Sequence, residues 1–248
     1  LLQLSEDRPL TWDAWDIDIF YEERRERLTD VTRLEIVETG PIRAVVLVER
    51  RYRNSTITQK LRIHHDSKKI DFDTRVNWHE RQFLLKAAFP VNVFAQEATY
   101  DIQWGNIARP THRNTSWDAA RFEVPAQKWA DLSEGDYGVA LLNDSKYGYD
   151  IRDDVVRLTL LKCATMPDPL ADQGLRSFVY SLLPHRGAWR GAVPAALLHS
   201  VRQPTEPLPL LHHVRLRPGL GDPGDAAGGG GGRDPGRRAL RHLRHCAL

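Results

Sequence analysis

The sequence predicts an all-β protein, a large antiparallel β-sandwich. Between Ser55 and Trp78, apolar and polar residues alternate with a period of two along two arms separated by a polar turn. That is the pattern of an antiparallel hairpin with one wet face. Elsewhere the apolar residues fall in short runs, β-branched or Leu-rich, bounded by Gly, Pro, Asn or Asp, with no regular strand and helix alternation. This argues against a Rossmann sheet or a (β/α) barrel and for packed antiparallel sheets. With 248 residues, 41% of them hydrophobic, the chain can bury a sizeable core.

Taken in order, the first distinctive segment is Trp12-Asp13-Ala14-Trp15-Asp16-Ile17-Asp18, two aromatics among three carboxylates. Such a set suits a polyol, because Trp faces stack on sugar C–H surfaces and carboxylates accept sugar hydroxyls. The alternative is a strand whose Trp residues plug the core while its Asp residues pair with Arg or cap a turn. Tyr21 to Leu28 is the one helical candidate, with Glu23 placed to pair with Arg27 one turn on. In the hairpin, Ile57, Leu61, Ile63, Ile70, Phe72, Val76 and Trp78 form the apolar set, and His65 to Lys68 form the turn. Ala98, Tyr100, Ile102 and Trp104 alternate with Thr99, Asp101 and Gln103 in the same way, while Ile42 to Val48, Gly138 to Leu142, Val155 to Leu161 and Phe178 to Leu183 read as buried strands. The apolar run ending at Leu142 leads into a polar aromatic loop of Asn143, Asp144, Ser145, Lys146, Tyr147, Gly148 and Tyr149. Loops mounted on rigid sheets concentrate binding groups.

Several function classes are excluded. GxxxxGK, HExxH and GxSxG are all absent, removing the commonest phosphate-loop, zinc-protease and esterase readings. No apolar run approaches the roughly 20 residues of a spanning helix, so no membrane partner is expected. His64, His65 and Asp66 read as a solvated turn, because adjacent His side chains on a strand point apart, and His112 and His185 read as hydrogen-bonded structural residues. Two cysteines, Cys163 and Cys246, fit a reduced compartment better than a disulfide framework.

The formal charge of +2 averages two unlike regions. Residues 211–248 carry seven Arg, three Asp and nine Gly, a net +4, whereas residues 1–210 carry −2 and every Trp, Tyr and Phe. No basic face interleaved with aromatics marks the first part, so no nucleic-acid partner is expected. Two regions follow: a β-sandwich over residues 1–205 and a Gly-, Arg- and Pro-rich tail over 206–248. The tail lacks the apolar surface to offset chain entropy and is expected to be disordered, or the product of a reading-frame shift. The start, without Met and inside a polar segment, looks like a cut.

Six ordered blocks carry a resemblance: DRPLTWDAWDID (7–18), LLKAAFPV (84–91), ARPTHRNTSWD (108–118), FEVPAQKWADLSEGDYGVALLNDSKYGYD (122–150), PDPLADQG (167–174) and FVYSLLPHRGAW (178–189). Over about residues 1–190 the chain resembles the C-terminal β-domain portion of the glycoside hydrolase family 38 α-mannosidases, closest to the cytosolic, vacuolar and bacterial branch. It departs from the family at Gln127 and Arg176, where the family often carries His, and the similarity stops beyond about residue 200.

The resemblance implies a galactose-mutarotase-like supersandwich, incomplete at its C-terminus, in a cytoplasmic enzyme. Its zinc and its aspartate nucleophile for retaining hydrolysis of terminal α-D-mannosides lie in an N-terminal catalytic domain missing from this chain. No catalytic or metal residue is carried over to any position here. The implied partners are mannose-containing oligosaccharides and the catalytic domain. At the rim of its site, Asn143 and Lys146 are expected to donate to sugar hydroxyls and Tyr147 or Tyr149 to stack. The competing readings are a stand-alone carbohydrate-binding or mutarotase-like module, with His112 or His185 facing a carboxylate, and an assembly domain of a homo-oligomer.

Overall fold

Residues 1–200 are described by the structure, a computed structural model; the tail expected over 206–248, with Cys246, lies outside them. The strands are β1 (Leu2–Glu6), β2 (Arg25–Arg27), β3 (Val31–Thr39), β4 (Arg43–Tyr52), β5 (Ser55–His64), β6 (Ile70–Trp78), β7 (Phe83–Pro90), β8 (Glu97–Ile102) and β9 (Gly105–Pro110). After a short helix α1 (Ser116–Ala120) come β10 (Val124–Pro125), β11 (Trp129–Glu134), β12 (Tyr137–Asn143), β13 (Gly148–Arg152), β14 (Val155–Lys162) and β15 (Gly174–Arg186), then helix α2 (Trp189–Ser200). They form a six-stranded sheet ordered β10-β13-β14-β7-β1-β2 and a nine-stranded sheet ordered β3-β4-β5-β6-β15-β12-β11-β8-β9. All the pairings are antiparallel, so the expected antiparallel sandwich is the fold.

The core fills the space between the sheets, because alternate residues of facing strands are apolar. Leu2, Leu4, Leu85, Tyr149 and Leu158 of the smaller sheet meet Ile57, Val76, Trp78, Leu132, Leu141, Phe178 and Tyr180 of the larger. Phe72 stacks on Tyr180 at 4.9 Å, and Phe89 closes on both rings from the opposite sheet. Polar groups at this level are satisfied: the Gln59 amide donates to the hydroxyls of Tyr180 (2.8 Å) and Thr74 (3.2 Å). On the outer face of the larger sheet a second cluster, Trp129, Ala140, Leu142 and Leu183, lies under Trp189 and Val193 of α2.

Two expectations are corrected. The segment expected to be a helix from Tyr21 to Leu28 is a 3-10 helix over Ile19–Arg24 followed by strand β2. The ladder to β1, pairing Gln3 with Arg27, draws the second half into extended form, so Glu23 and Arg27 do not share a helix face. Trp104 does not continue the inward alternation. The β8–β9 hairpin turns between Ile102 and Gly105, leaving Trp104 at φ 62° and fully exposed.

Gly138 is required by close approach. A Cβ there would stand 2.1 Å from Ser133 Oγ and 2.6 Å from His185 Cε1. Both neighbours are held, since the Ser133 hydroxyl donates to Asp131 Oδ1 (2.5 Å) and His185 Nε2 lies 2.6 Å from Asp131 Oδ2. Gly138→Ala is expected to lower the unfolding free energy by about 1–3 kcal/mol, the usual cost of overpacking. Ser133→Ala in the same chain should restore part of that loss in a urea titration.

Candidate functional site

The first candidate is the β12–β13 loop. Asn143 ends β12 and is buried. Its side-chain amide donates to the Gln127 carbonyl (3.1 Å) and the Tyr149 hydroxyl (2.6 Å), and its Oδ1 accepts from the Lys146 N–H (2.5 Å). Tyr149 is completely buried and packs edge-on against Tyr100 at 6.3 Å. Burial raises its phenol well above the ordinary value. Asn143 and Tyr149 are therefore the internal posts of the loop, with no spare group for a sugar, against the expectation that Asn143 donates and Tyr149 stacks. Lys146 lays its ammonium 4.3 Å over the Phe178 ring, where burial lowers its pKa. Tyr147 is exposed.

The second candidate is a cleft of about 600 Å3, lined by Trp15, Asp16, Asp18, Phe20, Phe122 and Glu123 among others. Its Glu123 directly precedes β10, which pairs Val124 with Tyr149 and Pro125 with Gly148 at the end of the loop. Neither Trp of the Trp12–Asp18 segment plugs the core: Trp12 is 72% and Trp15 70% exposed. The segment is a turn, with Trp12 at φ 58° and the Trp15 and Asp16 N–H groups both donating to its carbonyl. Asp13 tethers the turn by accepting from the Thr165 N–H (2.7 Å), the Thr165 hydroxyl (2.9 Å) and the Met166 N–H (3.2 Å). The capping role foreseen for these carboxylates is thus real, and the aromatic plug is not.

Beneath the cleft, on the outer face of the six-stranded sheet, lies a buried ionic cluster that the linear sequence does not reveal. Lys86 of β7 pairs with Glu123 and lies 4.0 Å from Asp150 of β13, which also receives Arg157 of β14 at 3.0 Å. The Tyr21 hydroxyl donates to Glu123 (2.7 Å), and Glu22 beside it receives a two-point contact from Arg113 (2.6 and 2.8 Å). The 3-10 helix is the lid of this cluster. Burial pushes the Lys86 ammonium below its ordinary value, opposed by the Asp150 carboxylate. The alternation of Lys86 with Leu85 and Ala87 is the sequence signal that it faces away from the core.

His185 and Asp131 form a close His and carboxylate pair, but they are only 5% and 1% exposed, so no sugar reaches them. Burial raises the Asp131 pKa against the hydrogen bonds from Ser133 and His185. His112 Nδ1 lies 3.7 Å from Asp118 beside α1, and His64 Nε2 3.8 Å from Asp71. Among the described residues no group of three or more His, Cys, Asp or Glu is arranged to hold a metal ion. No helix among them is long and apolar enough to cross a membrane.

Two broad antiparallel sheets packed face to face define a β-sandwich. Residues 1–170 match the family described as "Glycosyl hydrolases family 38 C-terminal domain", and the chain belongs to that family. It is 45% identical to Alpha-mannosidase G of Dictyostelium discoideum over 77% of this chain and 18% of that protein. It is 41% identical to human Alpha-mannosidase 2C1 over 83% and 20%, and 37% identical to the Alpha-mannosidase of Saccharomyces cerevisiae over 75% and 18%. The chain thus spans about a fifth of the length of these relatives. An alpha-mannosidase structure from Enterococcus faecalis shares the fold, with TM-score 0.67 and 15% identity over 81% of this chain and 27% of that one.

Two outcomes are expected here. Lys86→Met removes the cation paired with Glu123, while Asp150 keeps Arg157, and should cost about 3–5 kcal/mol in urea unfolding; adding Glu123→Gln should recover part of it. For Asp13, burial raises the pKa but the Thr165 and Met166 hydrogen bonds outweigh it, and the net shift is downward. A carboxylate lowered in the folded state stabilises above about pH 4 and loses that contribution as pH falls through its folded value. Asp13→Asn should therefore flatten the acid limb of stability against pH, measured by denaturation midpoints between about pH 5 and pH 2.

Proposed function

We propose that this chain is the non-catalytic C-terminal β part, residues 1–205, of a cytoplasmic α-mannosidase, with residues 206–248 outside the family domain. The full-length protein hydrolyses terminal α-D-mannosides with retention of configuration during oligosaccharide catabolism. The observation that carries this reading is the family match, joined to identities of 37–45% with proteins that are α-mannosidases. Zinc, where the full-length enzyme uses it, belongs on this reading to the catalytic part; among the described residues no group of three or more His, Cys, Asp or Glu is arranged to hold a metal ion. The attacking and proton-donating carboxylates belong to the same missing part, so no chemical step is assigned to residues here.

This part's contribution is a wall at the rim of the sugar site. Tyr147 offers an exposed ring for stacking and Lys146 a cation held in place by Phe178, while Asn143 and Tyr149 fix the loop that carries them. Both groups lie on one loop, and rigid placement lowers the entropic cost of holding a flexible oligosaccharide.

The full-length protein should turn over an aryl α-D-mannoside, and residues 1–248 alone should not; turnover by the isolated chain would contradict the proposal. Replacing Tyr147 and Lys146 together by Ala in the full-length protein should raise KM for extended mannosides about 3–10-fold, some 0.7–1.4 kcal/mol. The same variant should leave kcat on the aryl mannoside unchanged, and an unaltered KM would remove the loop from the rim.

A further inference from the structure

The two sheets do not match in width, and the mismatch is concentrated at one side. Nine strands face six, and the smaller sheet ends at β2, three residues long. The chain crosses from β2 into β3, the edge strand of the larger sheet, within residues 28–30. Register divides β3 by face. Val31, Leu34, Ile36 and Thr39 pair with Arg50, Val48, Val46 and Ala44, and two irregularities in pairing keep Arg33, Glu35 and Glu38 opposite Glu49, Leu47 and Val45. The charged set satisfies itself, with Arg33 to Glu35 at 2.6 Å and Arg43 to Glu38 at 2.7 Å. The apolar set shares its face with Gln59 and Leu61, on the side of Phe72, Thr74 and Tyr180, which is the side of the core. Yet Leu34 is 69% exposed, Ile36 63% and Ile63 of β5 44%. A strand sorted so cleanly into charged and apolar faces is built for a second layer that the described residues do not supply.

The smaller sheet points to what supplies it. Leu1 already sits in the β1–β7 ladder: its nitrogen donates to the Ala88 carbonyl (2.9 Å) and the Ala88 N–H to the Leu1 carbonyl (2.8 Å). The Leu2 to Ala87 register places a residue joined to that nitrogen opposite Phe89, which faces inward against Phe72 and Tyr180. Leu2 and Leu4 face inward, so that preceding position does too. Pro90 offers no N–H for a further ladder bond, which frees the strand from β7 at the point where the uncovered face begins.

We propose that in the full-length protein the polypeptide preceding Leu1 continues β1 as an apolar-faced strand across the inner face of β3 and β4, closing the sandwich over Leu34, Ile36, Val46 and Ile63. This rests on the reading above that the chain is part of a longer mannosidase. The relatives, about four times as long as this chain, have ample chain for it, and the occupant is intramolecular rather than a second copy.

The test uses Ile36→Cys in the full-length protein and in residues 1–248, with Cys246→Ser in both; Cys163 is buried. A small thiol reagent should label Cys at position 36 on the order of 100-fold more slowly in the full-length protein. Leu34→Cys serves as a second position should the first fail to fold. An aliphatic diazirine amino acid in place of Ile36 should then crosslink to the peptide that ends at Leu1. Equal labelling rates, crosslinks to another segment, or crosslinks between copies would each overturn the proposal. Turnover of an aryl α-mannoside is followed in the same preparation. Activity with an uncovered position 36 removes the strand alone, and a covered position 36 without activity removes the mannosidase reading alone.

Discussion

The constraint on which the structure depends is the burial of one apolar face from each of two antiparallel sheets. At about 25 cal/mol per Å2 of apolar surface, that burial is the main term opposing the chain entropy of so many strands. Trp78, Tyr180 and Tyr149 sit where the sheets overlap and are at most 2% exposed, so the register of β6, β15 and β13 is strongly set. A one-residue slip in any of them would move an aromatic ring to the wet face. The β12–β13 loop adjoins β10, an edge strand of the smaller sheet, the aromatic cleft lies over the outer face of that sheet, and the amphipathic strand β3 is an edge strand of the larger one.

The fold was legible in the sequence because alternation is a local signal. The arms of the Ser55 to Trp78 hairpin, and the runs later seen as β4, β12, β14 and β15, lie where period and bounding residues place them. What failed was local propensity without partners. Tyr21 to Arg27 has helical composition, but Arg25, Glu26 and Arg27 find a ladder in β1, and hydrogen bonding to a neighbouring strand outweighs a few tenths of a kcal/mol per residue of helix preference. Trp104 continues an alternation on paper, but the turn between Ile102 and Gly105 takes it out of the strand.

The candidate site was only half legible, and for a different reason. Asn143 and Tyr149 belong to the loop that the sequence singles out, but whether a polar side chain faces solvent or its own backbone is decided by tertiary contacts. Here Gln127, Lys146 and Leu141 take their hydrogen-bonding capacity. The Lys86, Glu123, Asp150 and Arg157 cluster draws its members from β7, the bend before β10, β13 and β14, so spacing along the chain does not bring them together. Removing one partner of such a cluster costs more than the assembled pair contributes, so it acts as a structural lock beneath the cleft. The pair of His185 with Asp131 looks like acid and base chemistry in composition and is closed off in space.

The chain belongs to the glycoside hydrolase family 38 C-terminal domain family, and its two sheets are unequal in width. The central physical claim is that stability is concentrated where the sheets overlap and falls away towards β3. Amide hydrogen exchange on residues 1–248 measures this strand by strand. The slowest exchange is expected in β6, β15 and β12, and exchange faster by orders of magnitude in β3. Protection in β3 equal to that in β6 and β15 would contradict it.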